Sequence, residues 1–401
     1  MLLTAKHLIV GDGSTTLDNG AVRLDEKGRI SDVGAFADLS KKYAGEPVHD
    51  YQDATILPGL IDMHVHTGYW WSEPDADSYR EDPYRIAYFA LDVLNRALRT
   101  GVTTVRDVSS PGGCMQNLRW ASAERGYLTL PRISHCGRGI CFTGGHGWPL
   151  IGGVVEADGA DNVRAAIRRE IRDGADWIKL LTSHRTHTPE FTQEELNAAV
   201  DECHRRGIKI CVHAGTHPSI QMCIDAGFDT IEHGTFMTRE QAIEMRDKGI
   251  AWVPTIVAYT YIYEQLCDSA KRAEVSGGID GDGLGDFNYF EKAAQAYREN
   301  CKMLADTGVT VLAGTDMVLH GAPIMPVGRE LAYMVEYGMS PVQAIATATG
   351  NAAAMLDLGR ETGMLAAGLC GDILVVRGDA SQDITALQSP VQVYRAGKAM
   401  L

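Results

Sequence analysis

Polar and apolar positions change rhythm twice along the chain. From Met1 to about Ile56, short alternating or apolar pieces such as LTAKHLIV and GAVRLDEKGRISDVG are split by turn residues, Gly11-Asp12-Gly13 among them. Period-two runs bounded by Gly and Asp predict strands and hairpins, with no room for a long helix. The far end repeats the style in DILVVRGD and VQVYRAGKAML. Two β-rich ends, 1–56 and 360–401, predict one small β-sandwich lobe built from both termini.

Between them, over 57–359, apolar strands alternate with amphipathic helices at βα spacing. Eight strands are predicted to end near His66, Asp107, Ser134, Thr182, His213, His233, Thr255 and Asp316. TQEELNAAVDECHRRG and TREQAIEMRDKG open on Thr and close on a basic residue followed by Gly, which are helix start and stop signals. The expected class is therefore α/β, a (β/α)₈ TIM-type barrel whose functional residues sit just after the strands. Two glycine-dense segments break the rhythm and are expected to be loops: HCGRGICFTGGHGWPLIGG after the third strand, and SGGIDGDGLGD near 276–286.

Composition narrows the class of partner. The 401 residues carry 37 Lys plus Arg against 52 Asp plus Glu, an excess of 15 negative charges that argues against a nucleic-acid or anionic-membrane surface. No apolar run reaches the roughly 18 residues of a membrane span. The nine cysteines are scattered, and Cys136 with Cys141, the nearest pair, matches neither a zinc nor a redox spacing. Scattered reduced thiols fit a cytoplasmic chain.

Candidate chemistry begins with LPGLIDMHVH. Residues two apart on a strand point the same way, so His64 and His66 project together and can chelate a divalent metal. A hydrogen-bonded or solvated pair is the alternative. Lys179 in DWIKLLTS, His213 in CVHAGT, His233 in IEHGT and Asp316 in AGTD fall at other predicted strand ends, which a barrel would bring to one mouth. Lys179 lies between Ile178 and Leu180 in a strand whose faces should both be buried. Burial favours the free amine, which can add carbon dioxide and become an anionic carbamate. A lysine whose tip snorkels to the rim is the other reading, as a helix cap is for Asp316.

In this order, and over nearly the whole chain, these motifs resemble the amidohydrolase superfamily. More narrowly they resemble its imidazolonepropionase-related and prolidase-like branch of Xaa-Pro dipeptidases and Lys/Arg carboxypeptidases. The family's returning Ala-Asp-Leu strand reads GDILVV here, at Gly371 to Val376. The resemblance implies a binuclear site for two divalent ions, zinc by implication. His64, His66 and Asp316 would hold one, His213 and His233 the other, with carbamylated Lys179 and a hydroxide bridging them. That hydroxide would attack an amide bond of a dipeptide or N-acyl amino acid, with Asp316 moving its proton. His146 in TGGHG would face the substrate and stabilise the carbonyl oxygen, unless it is simply a surface loop histidine. Tyr259 is a candidate pocket tyrosine or a packing residue, and Arg138 and Arg185 are candidates to bind a substrate carboxylate. The alternatives are a mononuclear deaminase or cyclic-amide hydrolase, which would not need Lys179, and an inactive scaffold. Related proteins often assemble, so the resemblance also implies a homo-oligomer acting on a small-molecule or dipeptide substrate.

Overall fold

A computed structural model of the chain describes residues 1–69, 82–148, 152–183, 189–267, 284–316 and 323–401. Its first strands are β1 (Leu2–Ile9), β2 (Thr16–Leu24), β3 (Ile30–Ala35), β4 (Val48–Asp50) and β5 (Ala54–Pro58). The parallel region follows with β6 (Leu60–Val65), β7 (Val102–Asp107), β8 (Arg132–His135), β9 (Gly139–Cys141), β10 (Val154–Glu156), β11 (Trp177–Leu181), β12 (Lys209–Ala214), β13 (Thr230–His233) and β14 (Ala251–Val253). The chain ends on β15 (Ile373–Arg377), β16 (Pro390–Arg395) and β17 (Lys398–Ala399).

Strands from both termini share one sheet of eight, in the order β17-β16-β15-β5-β1-β2-β3, with β4 added to β1. The strands of both termini are joined because β5 bonds to β1 on one edge and to β15 on the other. The apolar residues of that alternation, including Leu3, Leu8, Val22, Ile56, Ile373 and Val375, close into one cluster.

The central part is α/β with parallel sheets. β6, β7 and β8 form one, and β10-β9-β11-β12-β13-β14 form the other. Every residue of β6, β7 and β11 is buried, as strands covered on both faces must be. The single closed ladder of a (β/α)₈ barrel is not what the described residues give. The expected eighth strand, ending at Asp316, is reduced to an isolated bridge between Trp252 and Val311. It still bonds on both sides: Leu312 N donates to Trp252 O at 2.9 Å, Met63 N to Ala313 O at 2.9 Å, and Asp316 N to His64 O at 2.8 Å. The segment ends on a left-handed Asp316 (φ 48°), and β6 pairs with β7 on its other edge with register shifts on either side of Ile61–Asp62. On the far side, Asp176 N donates to His135 O at 2.9 Å, linking the end of β8 to the start of β11.

The helix signals hold. Thr192 opens the helix Gln193–His204 and Thr238 the helix Arg239–Lys248, each with a reciprocal capping box, to Glu195 and Gln241 respectively. The second ends on Gly249 at φ 72°. One expected loop is corrected: within HCGRGICFTGGHGWPLIGG, Gly139–Cys141 is a strand, because buried Ile140 and Cys141 pair with Leu180 and Leu181 of β11. Most of the glycine-rich 276–286 segment lies outside the described residues. Among the described residues, no helix is long and apolar enough to cross a membrane.

Candidate metal centre

β6 ends on the two histidines, and both rings reach Asp316. His64 Nε2 lies 3.5 Å and His66 Nε2 3.3 Å from Asp316 Oδ1. A ligand atom of each of His64, His233 and Asp316 lies within 4.8 Å of the others. The His213 ring is centred 4.2 Å from that of His233, and the His146 ring 4.1 Å from that of His213. Six candidates from four separate strand ends and one loop therefore meet at one place.

The backbone that brings them there is unusual. His233 (φ 67°), Thr255 (φ 51°) and Asp316 (φ 48°) are all left-handed, at the ends of three parallel segments. Such a conformation costs a non-glycine residue about 1–2 kcal/mol, so the surroundings must hold it. They do: the His233 carbonyl accepts Trp252 Nε1–H at 2.7 Å and the Tyr297 hydroxyl at 3.2 Å. Next to Asp316, a side chain on Gly314 would set its Cβ 2.7 Å from His64 Cβ, so only glycine lets AGTD lie against β6.

Hydrogen bonds fix which ring nitrogens are free. His64 Nδ1 donates to Glu232 Oε2 at 2.6 Å, and His66 Nδ1 donates to the Ser109 carbonyl at 3.0 Å. His233 Nδ1 meets Thr255 Oγ1 at 2.7 Å, whose own proton goes to Pro254 O, so the ring must donate there too. Burial holds both His64 and His233 well below the usual histidine range. Neutral rings with Nδ1–H committed present a lone pair at Nε2, the tautomer a metal ligand needs. For His64 that lone pair faces a carboxylate oxygen, an arrangement a cation relieves.

Lys179 is 1% exposed, and among the described residues its Nζ has no hydrogen-bond partner. An orphaned amine inside β11 is costly and calls for a further group. The donor set and this orphan together fit a metal site.

Beneath the histidines is a buried ion pair that the sequence did not announce. Arg106 donates to both Glu232 oxygens, at 2.8 and 2.9 Å, and from Nε to Met63 O at 2.7 Å, while its guanidinium stacks 4.7 Å above Trp177. Both members of the pair are fully buried. Asp62 ties β6 to the Asp316 segment by accepting His64 N, Thr315 N and the Thr315 hydroxyl. Glu232 and Asp62 each sit next to, or two residues from, a histidine in IEHGT and LIDMHVH; that adjacency was the available signal.

The remaining candidates divide. Tyr259 borders His233, ring centroids 5.5 Å apart, but is itself buried among Phe290 and Tyr297. Among the described residues no hydrogen bond or ion pair brings Arg138 to the histidines; its guanidinium bonds to Glu170 at 2.8 and 3.0 Å. Arg185 lies outside the described residues.

The chain is similar to known proteins over nearly its whole length. The amidohydrolase family profile matches residues 55–400. The chain is 28% identical to an ochratoxinase of Aspergillus niger over 99% of its own length and 86% of that protein. A crystal structure of a Xaa-Pro dipeptidase with methionine bound in its active site superposes with a TM-score of 0.86 and 30% identity, covering 99% of this chain and 98% of the other. An imidazolonepropionase of Cupriavidus taiwanensis is 37% identical over a quarter of the chain, 23% of that protein. The chain belongs to the amidohydrolase family.

Proposed function

We propose that the chain is a binuclear metal-dependent hydrolase that cleaves the amide bond of a dipeptide or N-acyl amino acid. Family membership and the prolidase and ochratoxinase relatives make it a hydrolase of C–N bonds. The single observation that carries the finer reading is the meeting of the His64 and His66 Nε2 atoms with the Asp316 carboxylate, together with a buried lysine amine that has no hydrogen-bond partner among the described residues. His64, His66 and Asp316 would hold one ion, and His213 and His233 the second. Lys179, converted to a carbamate by adding carbon dioxide and losing a proton, would bridge them. Zinc suits imidazole and carboxylate donors. When bound, the metals polarise the carbonyl and make water acidic enough to act near neutral pH.

The chain's own residues do the rest. Asp316 accepts a proton from the attacking water and returns it to the leaving nitrogen, a shuttle for which its position between three imidazoles suits it. His146, stacked beside His213 from the glycine-rich loop, faces the scissile carbonyl oxygen and stabilises the charge that develops there. Glu232 and Arg106 keep His64 in the ligand tautomer.

His64→Ala and Asp316→Ala are each expected to abolish hydrolysis of Xaa-Pro and N-acyl amino acid substrates, with an unchanged far-UV circular dichroism spectrum. Full activity in either variant would defeat the reading. The partial likeness to imidazolonepropionase raises a cyclic-amide substrate as a second reading, which inclusion of lactams in the same substrate set decides.

A further inference from the structure

The loop carrying His146 is fastened by three carboxylates that take no part in the histidine cluster. Asp158 accepts the Thr143 N–H at 3.0 Å, Glu156 accepts Gly144 N–H at 2.7 Å, and Glu190 Oε2 accepts His146 N–H itself at 3.1 Å. Glu156 and Asp158 are exposed, whereas Glu190 is partly buried. Glu190 is in turn anchored, its own N–H donating to Ser183 Oγ at 3.0 Å. Ser183 is fully buried, two residues beyond the strand that carries Lys179. A chain of contacts therefore runs from the end of β11 through Ser183 and Glu190 to the backbone of His146.

The glycines make this closeness possible. A Cβ on Gly145 would lie 2.7 Å from Glu190 Oε2 and 3.0 Å from Phe142 O. One on Gly147 would lie 2.8 Å from Leu181 Cδ2, at a φ of 103° that side chains avoid. The three carboxylates use oxygens on the loop's N–H groups, which is the geometry of a clamp.

We propose that Glu190 is the positioning residue for His146: its backbone is anchored on Ser183 Oγ, and its carboxylate fixes the glycine-rich loop so that the imidazole sits against His213. This rests on the role given to His146 above. Glu190 touches no reacting atom in this scheme and acts only through the loop.

The test uses the full-length chain labelled with fluorotryptophan. Trp148, 59% exposed and two residues past His146, reports loop order by its ¹⁹F resonance, assigned with Trp148→Phe. Glu190→Ala is expected to shift or broaden that resonance and to lower kcat by about ten- to hundred-fold, the usual cost of a misplaced catalytic group. Activity is read on whichever library amide the unaltered chain turns over fastest. Glu190→Gln, which keeps an acceptor oxygen, should recover much of both signals, and Gly145→Ala should reproduce the loss. An unchanged Trp148 resonance in Glu190→Ala overturns the proposal, as does a displaced loop with undiminished kcat while His146→Ala is inactive. Full activity in His146→Ala would instead defeat the role of His146, and the Trp148 resonance would still decide whether Glu190 holds the loop.

Discussion

At the scale of single residues, the histidine cluster rests on a buried ion pair. Glu232 holds the Nδ1 proton of His64, and Arg106 holds Glu232, all three buried. Removing the carboxylate charge leaves a guanidinium unpaired in the interior, a loss of on the order of 3–5 kcal/mol. Glu232→Gln should therefore lower the melting temperature and weaken metal retention by about ten- to hundred-fold in a chelator competition, the usual effect of losing a ligand's hydrogen-bonded partner. Unaltered retention would mean that His64 is oriented by other contacts. Lys179→Ala should lose most bound metal, and a short carboxylic acid added to the buffer should restore part of the activity by filling the space. No rescue would count against the carbamate. In the sequence, Lys179 stood out because a charged residue interrupted an apolar strand. Arg106 and Glu232 interrupted theirs as well, but nothing local said that the two face each other across 126 positions.

At the scale of elements, one helix caps another. Glu330, on the helix Val327–Glu336, accepts Ile256 N–H at 3.0 Å and Val257 N–H at 2.6 Å, at the start of the helix Ile256–Cys267 that carries Tyr259. Burial pushes its carboxyl up to about 8, against the pull of those two donors. A raised acid favours the protonated folded state, so its contribution is fully present below the ordinary glutamate range, near 4.5, and is lost as pH rises through about 8. Thermal melts of the native chain and Glu330→Gln across this window should differ by a gap that moves against the native chain as pH rises. A gap constant with pH would contradict the assignment. Helix ends such as Thr192 and Thr238 were legible because capping is local. Strand Gly139–Cys141 was not, because its glycine-rich surroundings read as loop and only the neighbouring β11 reveals the pairing. The same holds for Arg138, whose partner Glu170 is a matter of tertiary packing.

At the scale of the molecule, the sheet of the two termini is tied to the parallel region through Asp372. This buried carboxylate takes Arg132 at 2.9 Å, Arg395 at 3.0 Å, Ala396 N–H at 2.8 Å and the Thr362 hydroxyl at 3.1 Å. Asp372→Ala strands two arginines and should cost about 3 kcal/mol or more in urea denaturation; a loss under about 1 kcal/mol, typical of a surface pair, would contradict that role. Parallel strands with histidines at their ends made the meeting of His64, His66, His213, His233 and Asp316 readable from one chain. What spacing could not supply was the way the last segment joins them, through a left-handed Asp316 and a close-packed Gly314 in place of a regular eighth strand. The binuclear amide hydrolase is tested most directly by elemental analysis of chain purified without chelator, with the same sample assayed against Xaa-Pro, Xaa-Arg/Lys and N-acyl amino acids. Close to two metal ions per chain, with release of an amino acid, is the predicted result. One ion per chain with ammonia released, or no metal with full activity, would contradict it.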